Sequence, residues 1–269
     1  MDVLHAAGQA LTTLRARRPL IHQITNVVTV NDCANATLAI GASPTMTWAP
    51  EEVEDMARAA QALVLNLGTL QPWTLTSMLR AGKAAAKAGV PVVLDPVGAG
   101  GTAYRTAAAR ELLQEIPVSV IRGNLSEITC LVQGRSGINP GVDNHAKGQV
   151  TAALITQMAQ ALGMTVVITG AVDAMSDGTQ SLLLANGTPM LTYVTGTGCM
   201  TTSLIASFAA VTSPFVAAVG GVLSMGLAGE QAARKSQGPG TFHQQLFDSL
   251  YSLQADMYAS LGKVWHSYE

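Results

Sequence analysis

The chain is poor in charged side chains. Asp, Glu, Lys and Arg make up 12% of its 269 residues, whereas hydrophobic residues make up 48%. Average proteins carry roughly 25% charged residues. Disordered chains are poor in apolar residues, so this composition excludes an intrinsically disordered protein. The shortage of charge also indicates that much of the surface is hidden, and a homo-oligomer would hide it.

An excess of positive charge is missing as well. The formal net charge is −2, and the densest basic cluster is Arg15, Arg17 and Arg18. Proteins that bind nucleic acids carry a basic excess or a basic stripe. We therefore expect no nucleic-acid partner.

Cysteine is scarce, and its spacing is uninformative. The three cysteines, Cys33, Cys130 and Cys199, show no CxxC spacing, which argues against a disulfide framework and a cysteine-based zinc site. The N-terminal segment carries its arginines after its apolar part, the reverse of a secretory signal. We expect a reducing, cytoplasmic environment.

Two familiar phosphate-binding motifs are absent. The chain has no GxxxxGK[ST] sequence, which excludes a P-loop. Gly196 and Gly198 are followed by Thr201 where GxGxxG needs a third glycine. A dinucleotide site of the Rossmann type is therefore not predicted.

One stretch is apolar enough to resemble a membrane-spanning helix. No charged residue lies between Asp177 and Glu230, and residues 200–229 have the required length and apolarity. However, Pro214 divides this stretch, and serine and threonine recur throughout it. We predict two helices buried inside the protein, and no membrane partner.

Short apolar runs alternate with longer amphipathic runs along the chain. We predict strands over 20–24, 62–67, 90–94, 118–121 and 164–169, and helices over 51–60, 73–88, 103–115, 143–162, 199–211, 214–235 and 242–261. The turn residues 176–178 and 186–187 predict antiparallel hairpins within 174–194, and residues 134–148 are typical of a loop. This order predicts an α/β fold over residues 1–269, one domain with a mostly parallel sheet and a small antiparallel edge.

Polar side chains follow the predicted strands, where an α/β protein places its ligand. Asp95 ends one strand and is a candidate magnesium ligand, although it would also suit a turn or a helix cap before Pro96. Glu127 is a candidate second acid for the same ion, but Asn124 and Glu127 also have the spacing of a capping box. Arg122 suits a phosphate group, or an ion pair with a carboxylate.

Residues 195–199, TGTGC, are the most suggestive stretch. Two glycines precede a predicted helix, whose N-terminal amides would bind an anion. Cys199 at that helix N-terminus is expected to have a lowered pKa and to exist partly as the thiolate. The alternative is that Cys199 is a small buried hydrophobic residue.

Taken together, several ordered segments resemble the hydroxyethylthiazole kinase family, which has the ribokinase-like three-layer αβα fold. The segments are HQITN at 22–26, GASPTM at 41–46, LNLGT at 65–69, LDPVGA at 94–99, RGNLSEI at 122–128 and GTGCM at 196–200. They span residues 20–205, and their shared order is far more specific than any one of them.

The resemblance implies phosphorylation of the primary hydroxyl of 4-methyl-5-(2-hydroxyethyl)thiazole by ATP with Mg²⁺, in thiamine biosynthesis. It also implies a homotrimer with sites between subunits. The implied roles are thiazole binding by Asn26, Met46 and Gly196, ATP binding by Arg122, Thr169 and Gly198, magnesium binding by Asp95 and Glu127, and catalysis by Cys199. Most ribokinase relatives carry an aspartate base at the position of Cys199.

Two alternatives remain at this stage. One is another enzyme of the same fold, namely a hydroxymethylpyrimidine or pyridoxal kinase, or an ATP-dependent NAD(P)H-hydrate dehydratase. The cysteine at position 199 argues against these enzymes. The other is a sensor that binds thiazole or nucleotide without turnover, although a sensor has no need of a base.

Overall fold

The computed structural model describes residues 2–133 and 150–265, and these residues contain a single mixed sheet. Its strands are β1 Leu20–Ile24, β2 Ser43–Thr45, β3 Ala62–Asn66, β4 Val92–Asp95, β5 Val120–Gly123, β6 Thr165–Ile168, β7 Asp173–Ser176 and β8 Ser181–Leu184. They lie in the order β2-β1-β3-β4-β5-β6-β7-β8. Neighbours from β2 to β6 are parallel, and β7 and β8 form an antiparallel edge, which confirms the predicted sheet.

Helices cover both faces of this sheet. They are α1 Val3–Arg17, α2 Val30–Ile40, α3 Val53–Ala59, α4 Pro72–Ala88, α5 Ala103–Glu115, α6 Leu125–Val132, α7 Ala152–Leu162, α8 Thr197–Ala209, α9 Pro214–Lys235, α10 Pro239–Ser252 and α11 Ala255–Leu261. Helices α3 to α7 pack on one face and the remaining helices on the other. The three-layer αβα architecture is confirmed.

The central strands are apolar on both sides because each side meets a helical layer. In β3, Ala62 and Val64 belong to one hydrophobic core, whereas Leu63 and Leu65 belong to the core across the sheet. Strands buried on both faces are therefore continuous apolar runs rather than alternating ones. The predicted strand positions hold to within two residues at either end.

The single helix predicted over 242–261 is wrong, because α10 ends at Ser252 and α11 begins at Ala255. Arg15 explains the break. Its guanidinium donates to the carbonyl oxygens of Leu253 at 2.6 Å and Tyr251 at 2.9 Å. These carbonyls lie at the end of α10, where no further helical amide reaches them. The partner is remote in sequence, so local periodicity could not reveal it.

The hairpin turn predicted at Asn186-Gly187 is also wrong. The chain turns at 176–178 as predicted, but after β8 it enters a short 3₁₀ helix, Pro189–Tyr193. The buried Asn186 side chain donates to the Glu230 carboxylate at 3.2 Å and to the Leu261 carbonyl at 3.0 Å. These long-range hydrogen bonds replace the local turn.

Two predicted helices have different limits in the structure. The helix predicted over 51–60 is shorter, Val53–Ala59. Of the helix predicted over 143–162, the structure has Ala152–Leu162. The first part of that prediction, and the loop-like segment 134–148, lie outside the described residues.

The apolar stretch 200–229 forms most of α8 and α9, which pack against each other. Helix α9 is long and apolar enough to cross a membrane by length and composition, but 83% of its most apolar window is buried inside the protein. The prediction of two buried helices is confirmed. Their contact is close: a Cβ atom on Gly221 would lie 2.5 Å from the backbone nitrogen of Ile205.

We expect Gly221→Ala to destabilise the protein by about 2 kcal/mol or more, because the added methyl group would meet backbone atoms of α8 that cannot move independently. Gly240→Ala is the matched control, since a Cβ atom there meets nothing within 4 Å. It should leave stability unchanged or raise it by up to about 0.5 kcal/mol. Urea denaturation measures both, and equal midpoints would contradict the close helix contact.

Candidate active site

The carboxyl ends of the parallel strands meet around one buried carboxylate. Asp95 is the last residue of β4 and is fully buried. Its Oδ2 accepts hydrogen bonds from Thr202 Oγ1 at 2.8 Å and Asn66 Nδ2 at 3.0 Å. Arg122 Nη1 lies 3.5 Å from the same oxygen. One oxygen therefore joins β3, β4, β5 and α8.

The second oxygen of Asp95 has a different environment from the first. Asp95 Oδ1 is buried and has no hydrogen-bond partner within residues 2–133 and 150–265. Burial raises the pKa of Asp95, while the Arg122 charge and the Thr202 hydrogen bond act in the opposite direction. An unpartnered carboxylate oxygen in a buried site needs a cation, a proton or water to satisfy it.

Arg122 extends from β5 across the N-terminus of α8. Its Nη2 donates to Thr169 Oγ1, and a Cβ atom on Gly198 would lie only 2.5 Å from Nη1. Glycine at position 198 therefore leaves the space that the guanidinium occupies. The ion-pair interpretation of Arg122 is borne out by its contact with Asp95. Its buried Nε, however, has no partner among the described residues, so the guanidinium keeps donor capacity.

Glu127 forms the capping box that its spacing suggests. Its Oε2 accepts from the Asn124 amide at 2.8 Å, and Asn124 Oδ1 accepts from the Glu127 amide at 2.9 Å. Glu127 Oε1 accepts from the Gly98 amide at 2.8 Å, in the loop after β4. The capping role thus ties α6 to the loop that follows Asp95, and the Glu127 charge helps to raise the pKa of Asp95. No group of three or more His, Cys, Asp or Glu side chains suited to a metal occurs in the described parts of the chain.

Cys199 lies in the first turn of α8, beside Asn26. The sulfur accepts from Asn26 Nδ2 at 3.4 Å. Burial raises the pKa of the Cys199 thiol, and the nearby Asp95 charge raises it further. The expected lowering of this pKa is therefore wrong. Removal from water and the nearby negative charge outweigh the hydrogen bonds of Asn66 and Thr29 and the Arg122 charge, all of which lower this pKa.

Gly196 supplies the left-handed turn that begins α8. Its φ angle is +84°, and a Cβ atom there would lie 2.3 Å from Thr29 Cγ2. The turn can therefore pack directly onto the loop that carries Asn26. A side chain at position 196 would separate these two elements.

Asn26 is buried and its amide is fully engaged. Asn26 Oδ1 accepts from the amides of Val28 at 3.1 Å and Thr29 at 3.0 Å. Asn26 Nδ2 donates to Asn66 Oδ1 at 3.0 Å as well as to the Cys199 sulfur. Sequence reasoning assigned no role to Asn66, although it ends β3 and is the register partner of Asp95.

Met46 stands apart from this hydrogen-bonded group. It follows β2 and is half-buried against the hydrophobic core on the α8 side. Its neighbour Thr47 is fixed by the buried His22, whose Nε2 lies 2.9 Å from the Thr47 carbonyl oxygen. That carbonyl only accepts, so His22 Nε2 carries the proton. Burial lowers the pKa of His22 although the Thr47 hydrogen bond raises it, and this favours the neutral ring with its proton on Nε2.

A cavity of about 660 Å³ opens beside Arg122. Arg122, Thr169 and Gly198 all contribute to its wall, which continues along the segment after β8 and along α9. The structure therefore brings these three residues to one cavity, next to the group formed by Asp95, Asn26 and Cys199. Its size lies within the range of small-molecule binding sites.

Comparisons with known proteins identify the family of the chain. The sequence model described as "Hydroxyethylthiazole kinase family" matches residues 11–256. A hydroxyethylthiazole kinase of Caldivirga maquilingensis is 48% identical over 255 residues, which is 94% of this chain and 95% of that protein. The chain belongs to the hydroxyethylthiazole kinase family.

Solved structures give the same result. The structure of this chain matches that of a hydroxyethylthiazole kinase protein from Pyrococcus horikoshii with a TM-score of 0.88 and 42% sequence identity. The match covers 97% of this chain and 98% of that one. A ribokinase-like superfamily protein from Enterococcus faecalis has a TM-score of 0.60 at 15% identity, covering 94% and 83%. The second likeness concerns the fold alone, which is ribokinase-like as predicted.

Sequence reasoning missed one residue beside the cavity, Asp173. It begins β7 and contributes to the wall of the 660 Å³ cavity. Its Oδ1 accepts from the Gly170 amide at 2.9 Å, which fixes the turn after Thr169. Burial raises the pKa of Asp173 to about 7, although the Gly170 hydrogen bond and the Arg122 charge act against this.

We expect Asp173→Asn to flatten the pH dependence of stability. A carboxyl whose pKa is raised by folding contributes stability at low pH, and this contribution is lost as pH rises through the folded-state value of about 7. Asparagine keeps the oxygen that accepts from Gly170 but does not titrate. The melting temperature of the variant, relative to the unsubstituted protein, should therefore increase between about pH 5 and pH 8. An unchanged difference over that range would show that Asp173 titrates normally.

Proposed function

We propose that this chain transfers the γ-phosphoryl group of ATP to the primary hydroxyl of 4-methyl-5-(2-hydroxyethyl)thiazole, giving the thiazole phosphate and ADP for thiamine biosynthesis. One observation supports this proposal above the others. Asp95, Arg122 and the first turn of α8, which carries Cys199, lie together beside the 660 Å³ cavity in a chain of the hydroxyethylthiazole kinase family. The whole chain would act as one domain.

ATP would occupy the 660 Å³ cavity. Arg122, Thr169 and Gly198 contribute to its wall, and the Arg122 guanidinium has an unpartnered Nε among the described contacts. Guanidinium groups and helix N-termini both favour phosphate oxygens. The γ-phosphoryl group would therefore lie between Arg122 and the start of α8, close to Cys199.

Magnesium would be held by Asp95, with Glu127 contributing through water. The fit rests on Asp95 Oδ1, a buried carboxylate oxygen with no partner in the described residues, because Mg²⁺ prefers carboxylate oxygens and keeps several waters. Glu127 already accepts two backbone amides, so an indirect role suits it better than direct ligation. When bound, the ion neutralises charge on the phosphates.

The acceptor would bind between the Asn26 loop, Met46 and Gly196, with its hydroxyl at Cys199. The hydroxyl oxygen attacks the γ-phosphorus, and the bond to the β–γ bridging oxygen breaks to release ADP. The hydroxyl proton passes to the Cys199 thiolate. Phosphoryl transfer needs mainly positioning and charge neutralisation, so a weakly populated base suffices.

We further propose a cytoplasmic homotrimer with sites between subunits. Val27 and Val28 follow Asn26 directly and are 64% and 60% exposed. Exposed apolar side chains next to a substrate loop suit a contact with a second copy of the chain. Analytical ultracentrifugation should give three times the chain mass, and a monomer would overturn the trimer.

The direct test of function is ADP release from Mg-ATP with and without the thiazole alcohol. Release that depends on the thiazole supports the proposal. Hydroxymethylpyrimidine, pyridoxal and a hydrated nicotinamide dinucleotide form the comparison panel. Faster turnover of any of these overturns the substrate assignment, and thiazole binding without turnover indicates a sensor.

The role of Cys199 predicts a pH profile. Because burial raises the pKa of its thiol, the active thiolate is scarce at neutral pH, and kcat should rise about tenfold per pH unit between about pH 7 and pH 9. Cys199→Ala should lower kcat about 100-fold while the KM for ATP changes less than about twofold. Cys199→Asp should keep substantial activity and lose the slope.

Initial rates across this pH range check the assignment, and Cys199→Ser is the control. Serine keeps a hydroxyl that can position the acceptor but cannot act as a base at these pH values. If Cys199→Ser matches the unsubstituted protein and the profile is flat, Cys199 only positions the hydroxyl.

A further inference from the structure

Two buried amides connect the Asp95 carboxylate to the Cys199 sulfur. We propose that Asn66 is a positioning residue, which fixes the Asn26 amide so that it donates to Cys199. This inference rests on the proposed function, in which Cys199 receives the proton of the acceptor hydroxyl. The described hydrogen bonds of Asn66 go to Asp95, Asn26 and Gly68, and Asn66 also lies near enough to the Cys199 sulfur to help to lower the pKa of that thiol.

The orientation of the Asn66 amide follows from its partners. Asp95 Oδ2 accepts from Thr202 and faces Arg122, so the Asn66 group at 3.0 Å from it is the Nδ2 donor. Asn66 Oδ1 then lies on the opposite side, where the Gly68 amide donates to it at 2.9 Å. A backbone amide only donates, so both ends of the Asn66 side chain are assigned independently.

Asn26 is oriented by the same logic. Its Oδ1 accepts from two backbone amides and from the Thr29 hydroxyl at 3.1 Å. Its Nδ2 therefore faces Asn66 Oδ1 at 3.0 Å and Cys199 Sγ at 3.4 Å. The sulfur must be the acceptor in this contact. An N–H donor aimed at sulfur stabilises its thiolate form and leaves the other side of the sulfur free for the acceptor hydroxyl.

Close packing prevents either amide from turning over. Asn66 and Asn26 are 1% and 4% exposed, so water does not replace a lost partner at low cost. A Cβ atom on Gly68 would lie 2.6 Å from Asn26 Cβ, so the loop after β3 lies directly against Asn26. Asp95 therefore fixes the orientation of the Asn66 amide, and Asn66 fixes that of the Asn26 amide. As a result, Asn26 Nδ2 donates to the Cys199 sulfur.

Alkylation of Cys199 by iodoacetamide tests the proposal without requiring kinase activity. Peptide mass spectrometry measures the rate at Cys199 separately from Cys33 and Cys130. Asn66→Leu keeps the size of the side chain but can neither donate to Asp95 nor accept from Asn26, and Asn66→Ala removes the whole amide group. Both variants should slow the alkylation of Cys199 at fixed pH by about fivefold, the effect of one lost hydrogen bond.

Thr202→Val is the matched control. Thr202 donates to the same Asp95 oxygen as Asn66, at 2.8 Å, but its described hydrogen bonds do not involve Asn26 or the Cys199 sulfur. Its alkylation rate should stay within about twofold of the unsubstituted protein. Equal rates for Asn66→Leu and Thr202→Val would overturn the proposal, because Asn66 would then only support Asp95.

Activity gives a second, separate readout. Asn66→Leu should lower kcat about tenfold with little change in the KM for ATP. The same substitution should cost far less in a Cys199→Ala background, because residues that act as a unit are not additive. An equal factor in both backgrounds contradicts the connection. Absence of thiazole-dependent ADP release in the unsubstituted protein would overturn the proposed function, whereas the alkylation rates would still decide the role of Asn66.

Discussion

A buried carboxylate, Asp95, is the point at which the layers of this protein meet. Its Oδ2 receives donors from β3, β5 and α8, three elements that are distant in sequence. Burying a carboxylate is costly unless it is paired and hydrogen-bonded, so these elements must assemble together around it. Within the described residues only one of the two oxygens has hydrogen-bond partners, which leaves Asp95 Oδ1 able to accept from a cation, a proton or water.

The site depends equally on residues that take up little space. Gly198 lets the Arg122 guanidinium cross the start of α8, and Gly196 lets the preceding turn lie against Thr29. Two charged groups, a thiol and a helix N-terminus therefore come together without intervening side chains. Asp95 is the only buried Asp, Glu, Lys or Arg among the described residues.

The sequence predicted the layered fold and the positions of Asp95, Arg122 and Cys199, because each adjoins a strong strand pattern or a glycine-rich helix start. Roles for Met46, Thr169 and Gly196 came from the family resemblance alone. Asn66 was missed because its partner is fixed by the register of β3 with β4. Asp173 was missed because only the folded chain brings it to the cavity wall with Arg122. The direction of the Cys199 pKa was wrong for a similar reason, as burial and Asp95 act through space.

The most direct test is a magnesium titration of thiazole-dependent ADP release, comparing the unsubstituted protein with Asp95→Asn. Asparagine keeps the size of the side chain and removes its charge. We expect the variant to fold, to need about tenfold more Mg²⁺ for half-maximal rate and to have a lower kcat. An unchanged magnesium curve with an unchanged kcat would contradict it, because the buried carboxylate would then serve only the fold.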